Sequence, residues 1–243
     1  MENVFRDFRY AVRSLAKDKR FAFVAVFALA LGIGASTVVF SVFYNLLFNA
    51  VAAKDAGRLV VPVVADLEKP GYAGYDYQLW INWADLEYLR EHNQLFENLV
   101  GSHSGIAAVQ YGTRMYQLEN GHVSPDGFEF YGVGPMLGRG IVAEDGKPGA
   151  PRVFVMSYRT WKSEFGGETG LVGKSFVIEG EPATLIGVMP ERFHGFGVTQ
   201  EFWMPVSEEQ RSAEAEKGRR VNVLARVKRG VTLAAASAEV ICW

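Results

Sequence analysis

The sequence predicts an α+β protein: one N-terminal transmembrane helix followed by a mixed α+β body outside the membrane. Three observations carry this. Residues 21–53 form a run of 33 positions without a charged side chain. A basic head precedes the run and an acidic body follows it. The body alternates β-branched runs with capped helical segments, which builds mixed α+β layers.

The uncharged run exceeds the roughly 20 residues that cross a bilayer core. Seventeen of its positions are Leu, Ile, Val or Phe, together worth about −5 to −10 kcal/mol on an insertion scale. Ser36, Thr37, Ser41, Asn45 and Asn49 offset part of this. Hydroxyls can bond back to the helix backbone, so the helix tolerates them. A cleaved signal peptide has an apolar core of about 7–15 residues; here the core is far longer, although Val51-Ala52-Ala53 weakly resembles a cleavage site. Within the run, Ala28, Gly32 and Ser36 are four apart, as are Ala30 and Gly34. Such small-residue stripes let a second helix approach closely, which makes Ala28, Gly32, Gly34 and Ser36 helix-packing candidates.

Residues 1–20 contain Arg6, Arg9, Arg13, Lys17, Lys19 and Arg20 against Glu2, Asp7 and Asp18. Only Lys54 and Arg58 follow the run closely. The positive-inside rule therefore places residues 1–20 in the cytoplasm and residues 54–243 outside. Phe5, Phe8, Val12 and Leu15 recur at helical spacing among the arginines, the pattern of a helix lying along the inner membrane surface.

The body of 190 residues has the length of one ordinary domain or two small subdomains, and is read as two. Leu59 to Ala65 is a β-branched run, hence a strand. Tyr77 to Glu91 fits one helix. Leu99 to Leu118 is broken by glycines into short strands. Ser124-Pro125-Asp126 opens a helix ending near Gly132: Ser124 caps it, Pro125 suits the first turn and Asp126 favours the positive end. Val153 to Met156 is a buried strand, and Ser157 caps a helix running to Phe165. Ser175 to Ile178 and Ala183 to Met189 form a hairpin around Glu179-Gly180-Glu181-Pro182. Phe202 to Val206 and Val221 to Val227 are further strands, and Thr232 caps a last helix. Residues 207–220 lack a sustained apolar face and read as an exposed loop.

Composition narrows the chemistry. The formal charge is −2, which argues against electrostatic nucleic-acid binding. The single cysteine, Cys242, excludes a disulfide framework and a cysteine-based metal site. His92, His103, His122 and His194 show no metal-ligand spacing. Gly170 to Ser175 imitates a phosphate loop, but Glu168 occupies its first glycine and a strand pattern follows rather than a helix. Leu31 to Ser36 contains GxG inside the span. The glycines between Gly132 and Gly140 suit turns. No GxSxG elbow occurs. Ser102-His103-Ser104 is the one Ser/His cluster, yet neighbours on a strand point to opposite faces. Glu144-Asp145 and Glu208-Glu209 read as solvated loop pairs. Trp80, Trp83, Trp161 and Trp203 read as core or interface anchors. No catalytic, cofactor or metal site is expected.

Several strings together resemble a known family. DFRYAVRSLAKDKRFAFVAVFALALGIGASTVVFSVFYNLLF (Asp7 to Phe48) resembles the first helix of MacB-type and FtsX-like ABC transporter permeases. GVGPMLGRGIVAED (Gly132 to Asp145), PGAPRVFVMSYRTWKSEFGG (Pro148 to Gly167) and LVGKSFVIEGEPATLIGVMPERFHGF (Leu171 to Phe196) resemble the MacB-like periplasmic core domain. EFWMPV (Glu201 to Val206) and LARVKRGVTLAAASAEV (Leu224 to Val240) continue it in order. The resemblance implies a bacterial inner-membrane protein without catalytic residues of its own. Its implied partners are a separate cytoplasmic ABC ATPase, a second permease chain, membrane lipid and a periplasmic protein. ATP-driven motion would then reach the periplasmic body and, as in related systems, drive efflux through periplasmic partners or activate wall hydrolases. Family members carry three more membrane helices, so the chain is expected to be the N-terminal part of a longer permease or a truncated product. The alternative from another class is a single-span anchored sensor or binding module. A third, an exported hydrolase, rests on His103 and Ser104 alone.

Overall fold

The computed structural model describes residues 20, 23–24, 26–34, 36–37, 53–62, 64–65, 78–79, 81–193, 195 and 199–232. The chain divides into two compact units, residues 1–50 and 51–243. In the first unit the described residues are helical. Ser36 Oγ donates to the Gly32 carbonyl (2.8 Å) and Thr37 Oγ1 to that of Ile33 (2.7 Å). These are the back-bonds by which hydroxyls satisfy themselves on an apolar helix. Phe23, Val24, Val26, Phe27, Leu29, Leu31 and Ile33 are all exposed. Among the described residues no helix is long and apolar enough to cross a membrane. Phe5, Phe8, Val12, Leu15, Trp80, His194, Cys242 and the helix expected after Thr232 lie outside the described residues.

In the second unit a long hairpin dominates. Strand β4 (Phe96–Tyr111) pairs antiparallel with β5 (Arg114–Val123), from Ser102↔Val123 to Tyr111↔Arg114. The two-residue turn carries Gly112 at φ 59° in its first position, where a type II′ hairpin turn requires a positive φ. The remaining strands are β7 (Val153–Met156), β8 (Ser175–Ile178), β9 (Glu181–Val188) and β10 (Phe202–Pro205). β5 pairs in parallel with β10, β10 antiparallel with β7, and β7 in parallel with β9. β9 then pairs antiparallel with β8, and β8 returns to β4 through Val109↔Ile178. These pairings close a six-stranded ring.

The ring has no pore. Residues at spacing i, i+2 point inward: Ala107 and Val109, Phe154 and Met156, Phe176 and Ile178, Ala183 and Leu185, Phe202 and Met204, joined by Leu118. A ring this small is filled by its own side chains. Trp161, on a short helix (Tyr158–Ser163), and Leu171 complete the same core. Ser157 caps that helix, accepting from the Thr160 N–H at 3.2 Å.

The open end of β4 extends the sheet through β11 (Asn222–Val227) to β1 (Leu59–Val60). Two further cores cover the extension. One holds Trp83 and Leu86 from helix α1 (Trp83–His92) against Leu99, Val223 and Ala225. The other holds Phe128, Phe130 and Tyr131 from helix α2 (Gly127–Tyr131) against Val100, Val155, Phe193 and Trp203. A small strand, β6 (Leu137–Gly138), edges β9. At Gly138, φ is 69° and an added Cβ would overlap the Ile186 carbonyl, so only glycine fits.

Several sequence expectations need correction. Leu59 to Ala65 is two strands, since Val61 and Pro62 interrupt it before β2 (Val64–Ala65). Gln78–Leu79 is a third short strand, β3, pairing with β2. The helix expected from Tyr77 therefore begins at Trp83. There Asn82 and Asp85 form a reciprocal capping box, at 3.0 and 2.9 Å. Leu99 to Leu118 is not a set of short strands; Gly101 and Gly105 leave the ladder of β4 unbroken, each making room for neighbouring side chains. Asp126, not Ser124, is the residue before α2, and it makes no side-chain cap. The Ser157 helix stops at Ser163 rather than Phe165. The 207–220 segment is not a loop: Glu208–Glu216 form a helix, α4 when the Tyr158–Ser163 helix is α3. The Ser207–Gln210 capping box starts it, with bonds at 3.2 and 2.9 Å. Its residues are not buried, so hydrophobic periodicity could not reveal it.

Candidate functional site

The Ser/His cluster on β4 is divided by the pleat. Ser104 points to the outer face, where its Oγ accepts from Gln200 Nε2 at 2.8 Å. His103 points inward and stacks on its cross-strand partner His122, ring centres 4.7 Å apart. No Ser–His relay forms. Glu214 of α4 closes over the pair: its Oε2 accepts from Trp83 Nε1 at 3.0 Å and lies 3.4 Å from His103 Nδ1. That approach does not make a hydrogen bond, so His103 Nδ1 has no hydrogen-bond partner among the described residues. Burial pushes both imidazoles down to about 4. For His103 the Arg219 charge adds to this; for His122 the His103 charge does. Both rings are therefore neutral near pH 7.

Beside His122 lies a polar groove of about 450 Å³. Three of its charged side chains, Arg152, Glu181 and Asp145, are held in ion pairs. Arg152 pairs with Glu181 at 3.1 Å, and Asp145 takes both Arg139 nitrogens at 2.7 and 2.8 Å. Among the described residues no three His, Cys, Asp or Glu side chains gather as metal ligands. The false phosphate loop runs into β8, a strand; Gly173 N–H is spent on the Leu185 carbonyl and Lys174 N–H on that of Leu171. No helix start is there to cradle an anion.

The residues that do converge are ones the sequence reading did not select. They fasten the segment leading into the body, Ala53 to Val60, to the strand leading out of it, β11. Lys54 N–H donates to the Tyr131 carbonyl at 2.8 Å. Arg58 donates to Asp55 Oδ2 (2.7 Å), Glu97 Oε2 (2.8 Å) and the Val227 carbonyl (2.8 Å). Arg226 is buried, although it belongs to a strand of apolar neighbours. It donates to the carbonyls of Lys54, Asp55 and Phe130, the last at 2.6 Å, with its guanidinium 4.7 Å over the Phe130 ring. Burial lowers the Arg226 pKa; charge-assisted bonds to carbonyls offset that cost. Arg229 reaches Asp55 at 3.7 Å. Asp55 itself sits at φ 52°, a left-handed conformation that Asp tolerates better than most residues. The Arg58 hydrogen bond holds its carboxyl below the usual range. One signal was available in the sequence: Arg226 interrupts the run Val223-Leu224-Ala225-Arg226-Val227 at a position flanked by core residues.

The family described as MacB-like periplasmic core domain matches residues 22–241. Three solved structures are similar. The periplasmic region of MacB from Actinobacillus actinomycetemcomitans aligns over 75% of this chain and 80% of its own, at 13% identity and TM-score 0.57. The extracellular domain of the noncanonic ABC-type transporter YknZ from Gram-positive bacteria aligns over 71% and 83%, at 16% identity and TM-score 0.48. A domain of a putative permease protein from Porphyromonas gingivalis aligns over 66% and 74%, at 14% identity and TM-score 0.49. Only the first of these is close enough to support the fold, and it supports the fold alone. No curated protein sequence matches the chain.

Proposed function

The chain belongs to the MacB-like periplasmic core domain family, and from that membership we propose that it is the membrane-anchored, extracytoplasmic part of an ABC transporter permease. The observation that carries the proposal is the order of the chain: a charge-free stretch of 33 residues, almost all of it inside the family match over residues 22–241, leads into the compact unit of residues 51–243. In this reading residues 21–53 span the inner membrane and residues 54–243 lie in the periplasm. Residues 1–20 lie on the cytoplasmic face, with Phe5, Phe8, Val12 and Leu15 turned to lipid. Ala28, Gly32, Gly34 and Ser36 form the stripe against which another membrane helix packs. The partners are a separate cytoplasmic ATPase and a second permease chain. ATP hydrolysis occurs on the ATPase, and the body acts by contact and movement in efflux or mechanical signalling.

Membrane extraction tests the placement. The expected result is that the full chain stays with the membrane in alkaline carbonate. Protease added from the periplasmic side should digest the body, while residues 1–20 are protected. The double substitution Leu31→Arg/Ile33→Arg adds about 6 kcal/mol to insertion, enough to cancel most of the favourable sum and release the chain. Release of the unsubstituted chain by carbonate would overturn the placement.

A further inference from the structure

We propose that Asp55, Arg58 and Arg226 form a clasp that makes the incoming and outgoing segments of the body one mechanical unit, so that movement of the preceding helix is delivered to β11 and α2. This rests on the permease reading for its purpose but not for its physics. β1 and β11 pair antiparallel through Leu59↔Arg226 and Val60↔Ala225. The incoming chain precedes Leu59 and the outgoing chain follows Arg226, so both leave the ladder at the same end. Tension separating them therefore opens this ladder bond by bond, and a ladder of two residue pairs resists little by itself.

The clasp lies across that opening. Arg58 of the incoming segment holds the Val227 carbonyl of the outgoing strand. Arg226 of the outgoing strand holds the Lys54 and Asp55 carbonyls of the incoming segment and the Phe130 carbonyl of α2. Asp55 answers both Arg58 and Arg229. An apolar side chain at position 226 would avoid the desolvation of a buried guanidinium. What only the planar fork supplies is simultaneous attachment of three carbonyls on two other segments. The movement of one segment is thus passed to the sheet and to α2 together, instead of being absorbed in residues 53–58.

Single-molecule pulling on the full chain in detergent, with handles at both termini, tests this. The expected trace has a first rupture releasing residues 53–60 and 222–232, and a later rupture of the six-stranded ring. In Arg58→Met/Arg226→Met the first rupture is lost and the ring rupture is unchanged. Because a buried arginine is replaced, Asp55→Asn/Arg58→Met serves as a second variant outside the core, with a weakened first rupture. Arg58→Lys, which retains the charge without the fork, should recover only part of it. An unchanged first rupture in both Met-containing variants overturns the clasp. So does an equal fall of both ruptures, which would mark ordinary stabilisation of the whole fold. Failure of the permease reading looks different: carbonate would release the chain while the first rupture remained.

Discussion

Lowering the pH from 6.5 to 4 should destabilise residues 51–243 by several kcal/mol, and His103→Gln/His122→Gln should remove most of that dependence. Burial holds both imidazoles near 4 in the fold, against 6.5 for the unperturbed group. Above pH 6.5 neither the folded nor the unfolded chain protonates them, and the native advantage is complete. Between 6.5 and 4 the unfolded chain binds protons that the folded chain refuses, so stability falls with pH. Below 4 both states are protonated and the loss is finished. At 1.36 kcal/mol per unit, His122 alone contributes about 3 kcal/mol, and His103 acts in the same direction. A domain of this kind has about 5–15 kcal/mol in total, so the effect is a large share. The carboxylates act lower on the scale. Asp55 is held below 3.8 by Arg58; burial raises Asp145, but Arg139 and the Val142 N–H outweigh it. Their stability is lost below the histidine window. Denaturant titrations at half-unit pH steps separate the two. An unchanged slope between 6.5 and 4 in the double variant would contradict the assignment.

The second large effect is expected at Phe154. It is 1% exposed, near the middle of the ring core, with its ring edge-on to Phe176 (5.1 Å) and Phe202 (5.7 Å). β7, β8 and β10 thus meet at one side chain. Phe154→Ala should cost about 3–5 kcal/mol, the transfer loss plus the cavity. The walls are hydrogen-bonded strands closed on themselves, so the site cannot collapse to fill it. Phe154→Leu, nearer in volume, should cost clearly less. The check is the denaturation midpoint followed by Trp161 and Trp203 fluorescence. A loss below about 1 kcal/mol would show that the ring is not a single packed core.

Much of the body was legible where a strand is buried on both faces and reads as a continuous apolar run. Val153 to Met156, Phe202 to Val206 and Val221 to Val227 announce themselves through β-branched and aromatic runs, and each is a strand within a residue or so of the expectation. The hairpin was equally clear, although its turn is the two residues Glu179-Gly180, both at positive φ, rather than the four from Glu179 to Pro182, because Glu181 and Pro182 already pair within β9. α4 was hidden because it is held by Glu214 bonding Trp83 Nε1 and by Arg211 meeting Glu87 at 3.3 Å, not by an apolar face. Local capping, the Ser207–Gln210 spacing, was the surviving sign. The glycines of β4 misled because Gly101 and Gly105 accommodate neighbouring side chains rather than breaking the strand. Ring closure was not readable, since β8 meets β4 across some 65 residues of sequence through only two pairs, Val109↔Ile178 and Gln110↔Val177. The clasp was missed for a related reason. Arg58 and Arg226 are 168 positions apart and meet only once β1 has paired with β11.

The resemblance to MacB-type permeases rested on the order of several moderate strings, and the family match over residues 22–241 establishes it.

The most direct test is to recover the full-length gene product from native membranes after in situ crosslinking and to identify what is joined to it by mass spectrometry. The account predicts an ABC-type ATPase linked to the cytoplasmic side of the chain and a second permease chain linked through the helix bearing Gly32 and Ser36. Recovery of the chain with neither partner, from membranes in which the ATPase is present, would contradict it.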